Sequence, residues 1–145
     1  MPAVSSIYPD EVTGYPPLVL VHGAATSAKV WTFWQRELAT RGWKSHAINL
    51  RGHGDCRPLN LSRTTMDDYA SDVREFAGQL SQPPIIMGWS MGGLIAMMVA
   101  SQGLGAACIA LAPSVPAQQL DTSVKLRTGE FGPEEYGVVD DDTEN

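Results

Sequence analysis

One pentapeptide limits the fold more than any other part of this chain: Gly88-Trp89-Ser90-Met91-Gly92, set between the apolar run Ile85-Ile86-Met87 and an apolar, helix-compatible stretch over residues 91–101. A chain that turns abruptly from a strand into a helix holds the residue at the corner in a strained conformation. Side chains two positions to either side would collide there, and glycines at 88 and 92 remove the collision. Such a corner thrusts the Ser90 hydroxyl above the carboxyl end of a sheet, where α/β folds bind their ligands. The N-terminus of the following helix favours negative charge beside it, and the Met91 N–H is placed to meet an oxyanion. Gly93 permits close contact between helix and strand. A plain glycine-rich strand–helix junction is the bland alternative for these five residues. A phosphate-binding loop is disfavoured because no Gly-Lys-Ser or Gly-Lys-Thr is present.

The remaining pattern supplies the sheet that this corner requires. Val4–Tyr8 is a short edge strand within a Pro- and Gly-punctuated N-terminal stretch, and Leu18–Val21 is a buried strand ending at His22-Gly23. A helix is expected over about residues 30–41, with Val30, Trp34 and Leu38 on its inner side, Trp31 widening that face and Gly42 as C-cap. Trp43–Leu50 reads as a strand running into the loop Arg51-Gly52-His53-Gly54, and residues 55–64 as coil. Thr65 and Asp68 form a capping box for a helix marked by Tyr69, Val73, Phe76 and Leu80. The helix over residues 91–101 turns Leu94, Ile95 and Met98 inward, and residues 106–112 give a last strand, ended by Pro113. A weak helical tendency near residues 117–126 follows. This alternation predicts a three-layer α/β fold, a parallel sheet with helices on both faces.

Composition narrows the function classes. Of the 145 residues, 43% are hydrophobic, enough for one compact domain and no second. Residues 1–120 balance eight acidic against eight basic side chains, whereas the last 25 hold eight acidic residues against Lys125 and Arg127. The chain therefore divides into a domain over residues 1–116 and an acidic, flexible tail over 117–145. Neither part carries the basic face that nucleic acid requires. Asp140-Asp141-Asp142 reads as solvated charge rather than a metal site. Cys56 and Cys108 read as free thiols, which with no evident signal peptide and no bilayer-length apolar run points to a cytoplasmic, non-membrane protein.

Three motifs in order, Pro17-Leu18-Val19-Leu20-Val21-His22-Gly23-Ala24, Asn49-Leu50-Arg51-Gly52-His53-Gly54 and Gly88-Trp89-Ser90-Met91-Gly92-Gly93, resemble the N-terminal core of the α/β-hydrolase superfamily, in its branch of small esterases and lipases. The resemblance covers residues 16–113. It implies that Ser90 is the nucleophile, that the backbone N–H of Ala24 joins that of Met91 in an oxyanion hole, that His22 with Gly23 orients the oxyanion loop, and that residues 51–54 brace the site. It implies no metal and no organic cofactor. In that branch the second motif begins with Asp and ends with Ser where this chain has Asn49 and Cys56, departures expected to loosen the local hydrogen bonding.

The family order of catalytic residues is nucleophile, acid, histidine, and here no histidine follows His53. His53 is the one candidate base with a claim to face the site, against a reading as a loop residue that satisfies backbone groups. Asp121 is the one acid soon after the last strand. The hydrolase core is thus expected to be truncated, with an exposed sheet edge open to self-association or a complementing chain. Two functions follow: a serine hydrolase of carboxylic-ester type acting on a small uncharged ester in an apolar pocket helped by Trp31, Trp89 and Met91, or a non-catalytic module of the same fold that binds an apolar ligand or a partner.

Overall fold

In the computed structural model, residues 3–116 are described. Five strands form one sheet in the order β1-β3-β2-β4-β5, comprising β1 (Ala3–Ile7), β2 (Leu18–Val21), β3 (Ser45–Asn49), β4 (Ile85–Trp89) and β5 (Ala107–Leu111). The pairs β3–β2, β2–β4 and β4–β5 are parallel, as the strand–helix alternation predicts. The edge strand β1 is the exception: it pairs antiparallel with β3, Ala3 opposite Asn49 and Ile7 opposite Ser45. Strand direction at an edge leaves no mark on side-chain alternation, so the sequence pattern is silent about it.

The central strand shows why its four residues are all apolar. Leu18 and Leu20 point to one face, packing with Ala28, Trp31, Ala47 and Met87. Val19 and Val21 point to the other, into a core with Ile48, Leu50, Val73, Ile86 and Val99. Both faces are covered, so an alternating pattern would leave polar groups in a core.

Helix α1 (Thr32–Thr40), preceded by a 3₁₀ turn over Ala28–Trp31, covers the first face; α2 (Met66–Ala77) and α3 (Met91–Ser101) cover the second. The capping box of α2 is formed in full, Thr65 Oγ1 accepting from the Asp68 N–H and Asp68 Oδ2 accepting from the Thr65 N–H. Two faces differ from their expected orientation. On α1 the buried side chain is Gln35, with Trp31 buried just before the helix, while Val30 and Trp34 are exposed. The Gln35 amide donates to the carbonyls of Ser5 and Ser45, so tertiary hydrogen bonds decide which face turns inward. On α3 the buried positions are Gly92, Gly93, Ile95, Ala96 and Val99, with Leu94 and Met98 half-buried at the margin.

Chain order reverses between β2 and β4: the connection from β2 leads outward to β3, and that from β4 leads the opposite way to β5. The carboxyl ends of these two strands therefore flank a topological switch point, the usual place for a ligand crevice in an open α/β sheet. Residues 22–24 and Ser90 lie there.

Candidate active site

Ser90 stands at the N-cap of α3 with φ 56° and ψ −120°, in the left-handed half of backbone space that a serine adopts only when its surroundings enforce it. The enforcing contacts are visible. A Cβ on Gly88 would overlap the Gly92 carbonyl and lie 2.7 Å from the Gly93 nitrogen, and one on Gly92 would overlap the Val21 carbonyl. The corner is packed backbone against backbone, which only glycine permits.

A second grip, invisible in the motif, comes from the loop after β5. The Ser90 N–H donates to the Leu111 carbonyl at 3.0 Å, and the Ser114 N–H donates to the Ser90 carbonyl at 3.0 Å. Pro113 packs on Gly93, a Cβ there coming within 3.0 Å of the proline Cβ, and Ala112 takes φ 40° to make the turn. The Ser90 carbonyl also accepts from the N–H groups of Gly93 and Leu94, so its peptide is held from both sides. Nothing in the spacing of residues 111–114 advertises this, because the contacts span more than twenty positions.

The His22-Gly23-Ala24 loop lies against the same corner. A Cβ on Gly23 would sit 3.1 Å from the Trp89 ring and 3.3 Å from the Ser90 Cβ. His22 is fully buried with both ring nitrogens engaged: Nε2 lies 3.1 Å from the Leu50 N–H, and Nδ1 lies 2.7 Å from the Gly23 carbonyl. Nε2 must accept, so the proton sits on Nδ1 and is donated to Gly23. Thr26 Oγ1 donates to the same carbonyl. Burial lowers the pKa of His22 against the opposing effect of the Gly23 bond, with nearby His53 adding to the depression. A neutral ring whose two nitrogens bond the Leu50 N–H and the Gly23 carbonyl has no lone pair left to accept a proton from Ser90.

Ala24 is exposed, and Met91 begins α3, where an N–H has no intrahelical acceptor. Neither N–H has a hydrogen-bond acceptor among the described residues. Of these two donors, one follows Gly23, whose Cβ position lies 3.3 Å from the Ser90 Cβ, and the other directly follows Ser90.

His53 lies in the loop after β3, buried, its Nδ1 3.0 Å from the Arg51 carbonyl, its ring 5.1 Å from that of His22 and 5.8 Å from that of Tyr69. His46 lies within β3, bonded at 2.8 Å to Ser6 Oγ across the β1–β3 pair and edge-on to Phe76. Burial lowers its pKa, and Lys44 adds to the effect. Asp121 lies outside the described residues.

The loop of the second motif is tied down more firmly than its departures suggest. Asn49 Oδ1 accepts from the Ala28 N–H at 2.7 Å, and the Cys56 thiol donates to the Asn49 carbonyl at 3.3 Å. Arg51 forms a forked ion pair with Asp72 (Nη2 to Oδ1 2.7 Å, Nε to Oδ1 3.0 Å), reaches Asp68 at 3.1 Å, and gives its backbone N–H to Asp72 Oδ2. The bond to Asp72 raises the guanidinium pKa beyond its ordinary value, and the Thr65 bonds hold Asp68 below the usual carboxylate range. Asp72 carries no motif of its own; its one signal in the sequence is its place one turn after Asp68 on α2.

A hollow of about 260 Å³ is lined by Val30, Trp31, Trp34, Leu111 and Trp89, the residue before Ser90 in the chain, all apolar. A larger concavity of about 490 Å³ lies elsewhere, over Arg51, Cys56, Arg57 and Glu75, and contains no residue of the serine corner. Among the described residues no three His, Cys, Asp or Glu side chains gather as a metal site would need, and no helix is long and apolar enough to cross a membrane.

Comparison with known proteins bears on the same segment. The chain is 34% identical over 97 residues to a pimeloyl-[acyl-carrier protein] methyl ester esterase of Sodalis glossinidius (strain morsitans), a match covering 67% of this chain and 35% of that protein. It is 37% identical over 94 residues to protein phosphatase methylesterase 1 of Bos taurus, covering 61% of this chain and 25% of that one. It therefore spans about a quarter to a third of the length of these curated relatives. Among solved structures, a monoacylglycerol lipase of Paleococcus ferrophilus superposes with a TM-score of 0.68 over 81% of this chain and 48% of its own, at 19% identity, a likeness of fold. The model of the alpha/beta hydrolase family matches residues 18–140, from β2 through the serine corner and beyond the described residues. With the sheet order, the strained Ser90 and the glycine frame in place, that match identifies the chain as a member of the alpha/beta hydrolase family.

Proposed function

We propose that this chain carries the nucleophile and oxyanion-binding portion of a carboxylic-ester hydrolase, with Ser90 as the attacking group and the N–H groups of Ala24 and Met91 as oxyanion donors. The observation that carries the reading is the Ser90 backbone, held at positive φ by glycine packing and by the residue 111–114 loop. Resemblance to methyl-ester esterases supports the class of reaction. In the reaction, Ser90 Oγ bonds to the ester carbonyl carbon, the C–O bond to the alcohol breaks, and the hydroxyl proton leaves with the alkoxide. Water then cleaves the acyl-serine to carboxylic acid and restores the hydroxyl. The substrate is a small uncharged ester, because the hollow that includes Trp89 presents indole and aliphatic surface and no charge.

A general base does not come from His22, whose nitrogens are both engaged, or from His46, which is bonded to Ser6. His53 is the remaining histidine, and we assign it a bracing role through its bond to the Arg51 carbonyl. Without a base, a serine hydroxyl is a weak nucleophile at neutral pH. Oxyanion stabilisation and binding alone still give about 10³–10⁴-fold over water in hydrolases stripped of triad members. The 145-residue chain by itself is therefore a slow acyl acceptor. Labelling by a fluorophosphonate probe tests this: a slow adduct is expected on Ser90, abolished in S90A and retained in H53A. A folded chain that takes no label favours the second reading, a ligand- or partner-binding module of the same fold, which the exposed outer edge of β5 also suits.

A further inference from the structure

The two edges of the sheet differ in how they discourage pairing with other strands. Edge strand β1 exposes Ser5 and Ser6, and Pro9, Asp10 and Glu11 follow it, the polar, proline and charged residues that usually protect an edge. Strand β5 has none of these. Its register against β4 runs unbroken from Ala107 to Leu111, so no bulge twists it away, and Ala107, Cys108 and Ile109 are exposed. Among the described residues no strand pairs with its outer side. The missing charge belongs to a longer pattern: all ten Lys and Arg and all sixteen Asp and Glu residues lie outside residues 76–120.

We propose that the outer edge of β5 pairs antiparallel with β5 of a second copy of this chain, Ile109 opposite Ile109 across a twofold axis, joining two five-stranded sheets into one. Charge selects the occupant. Each chain carries a net charge of −6, so two copies repel least where they meet through a stretch that holds no charge. A charged partner would find nothing on this edge to pair with, whereas a second copy brings an edge equally apolar and neutral. Backbone geometry selects the register. The Ser90 N–H donates to the Leu111 carbonyl, so alternation turns the N–H and C=O groups of Ile109 and Ala107 toward β4 as well, and those of Cys108 and Ala110 outward. A twofold axis at Ile109 sets Cys108 against Ala110 of the second copy and Ala110 against its Cys108, so that all four outward residues bond. An axis at Cys108 would need Ala106, whose N–H is already given to the Pro84 carbonyl at 2.7 Å. An axis at Ala110 would need Ala112, which has left the extended region at φ 40°. In the favoured register the two Ile109 side chains form a close aliphatic pair on the face that carries Met87. The proposal is independent of any chemistry at Ser90.

Cysteine cross-linking tests the register in the full chain. In a background of C56S and C108S, single substitutions A107C, I109C and L111C are oxidised with copper phenanthroline and read as covalent dimer on a non-reducing gel, after each denaturation midpoint is matched to the parent. Facing Ile109 Cα atoms, about 4.5 Å apart, fall within disulfide reach, whereas each Ala107 lies several residues along the strand from its copy. I109C is therefore expected to cross-link about tenfold faster than A107C or L111C. Equal rates at the three positions, or a faster rate at 107 or 111, overturn the proposal. The unsubstituted chain gives a second readout that no folding failure can obscure. The Cys108 and Ala110 amides exchange with solvent deuterium more slowly as protein concentration rises, in step with dimer seen by sedimentation. A chain that sediments as monomer throughout overturns the proposal, whether those amides stay open or are protected by residues 117–145 of the same chain.

Discussion

At the scale of single residues, the strongest demand in the molecule is that positions 88 and 92 have no side chain. The Cβ of an alanine at 88 would overlap backbone, and backbone in a sheet–helix junction cannot swing aside as a side chain does. G88A is therefore expected to destabilise by about 3 kcal/mol or more, at the upper end of overpacking costs, read as a lowered denaturation midpoint. His22 and His46 make a second prediction. Burial depresses both pKa values, so the unfolded chain binds more protons than the folded one as pH falls below about 6.5, the ordinary histidine value. Their contribution is intact above that pH and is lost progressively as pH descends toward the depressed folded values. A thermal midpoint that drops between pH 7 and pH 5 is expected, with a shallower drop in a variant lacking the His46 ring; a midpoint rising over that range would contradict it.

At the scale of elements, the junction of β3 and α2 rests on Arg51 and Asp72. Asp72 is buried and takes three bonds from Arg51, counting both Nε contacts to its two oxygens as one, so removing its charge leaves a half-exposed guanidinium without its main partner. D72N is expected to cost about 2–3 kcal/mol by chemical denaturation, in line with charged hydrogen bonds of this kind. A loss within 0.5 kcal/mol, the range of an ordinary surface change, would show the pair to be ornamental. The two ends of this pair are 21 residues apart, and neither an i,i+4 rule nor apolar periodicity reaches that far. Features with a local cause were legible in the chain: the capping box at Thr65, the all-apolar β2 and the Gly-x-Ser-x-Gly corner each follow from neighbours within a few residues. The face that α1 turns inward has a tertiary cause. Trp34 and Val30 are as apolar as Trp31, and only the carbonyls of Ser5 and Ser45, which draw Gln35 inward, settle the rotation. The grip of residues 111–114 on Ser90 is likewise a tertiary contact that no local pattern encodes.

At the scale of the whole molecule, the sheet is covered on both faces at its centre, and among the described residues no strand pairs with the outer side of β5, where Ala107, Cys108 and Ile109 are exposed. An unpaired parallel edge of this kind offers its N–H and C=O groups to another strand. Sedimentation is expected to reveal concentration-dependent association of the chain, reduced by I109K, which places a charge on the edge; an unaltered association constant would locate the contact elsewhere. Sheet order brings the β2 loop and the serine corner together although 66 residues separate Gly23 from Ser90. The central claim is that this corner still presents a nucleophile. Intact-mass analysis after exposure to a p-nitrophenyl ester measures it directly. One acyl group per chain is expected, mapped to the peptide containing Ser90, lost slowly and absent in S90A. Phenolate release at the same rate in S90A, with no adduct at Ser90 in the parent, would contradict it.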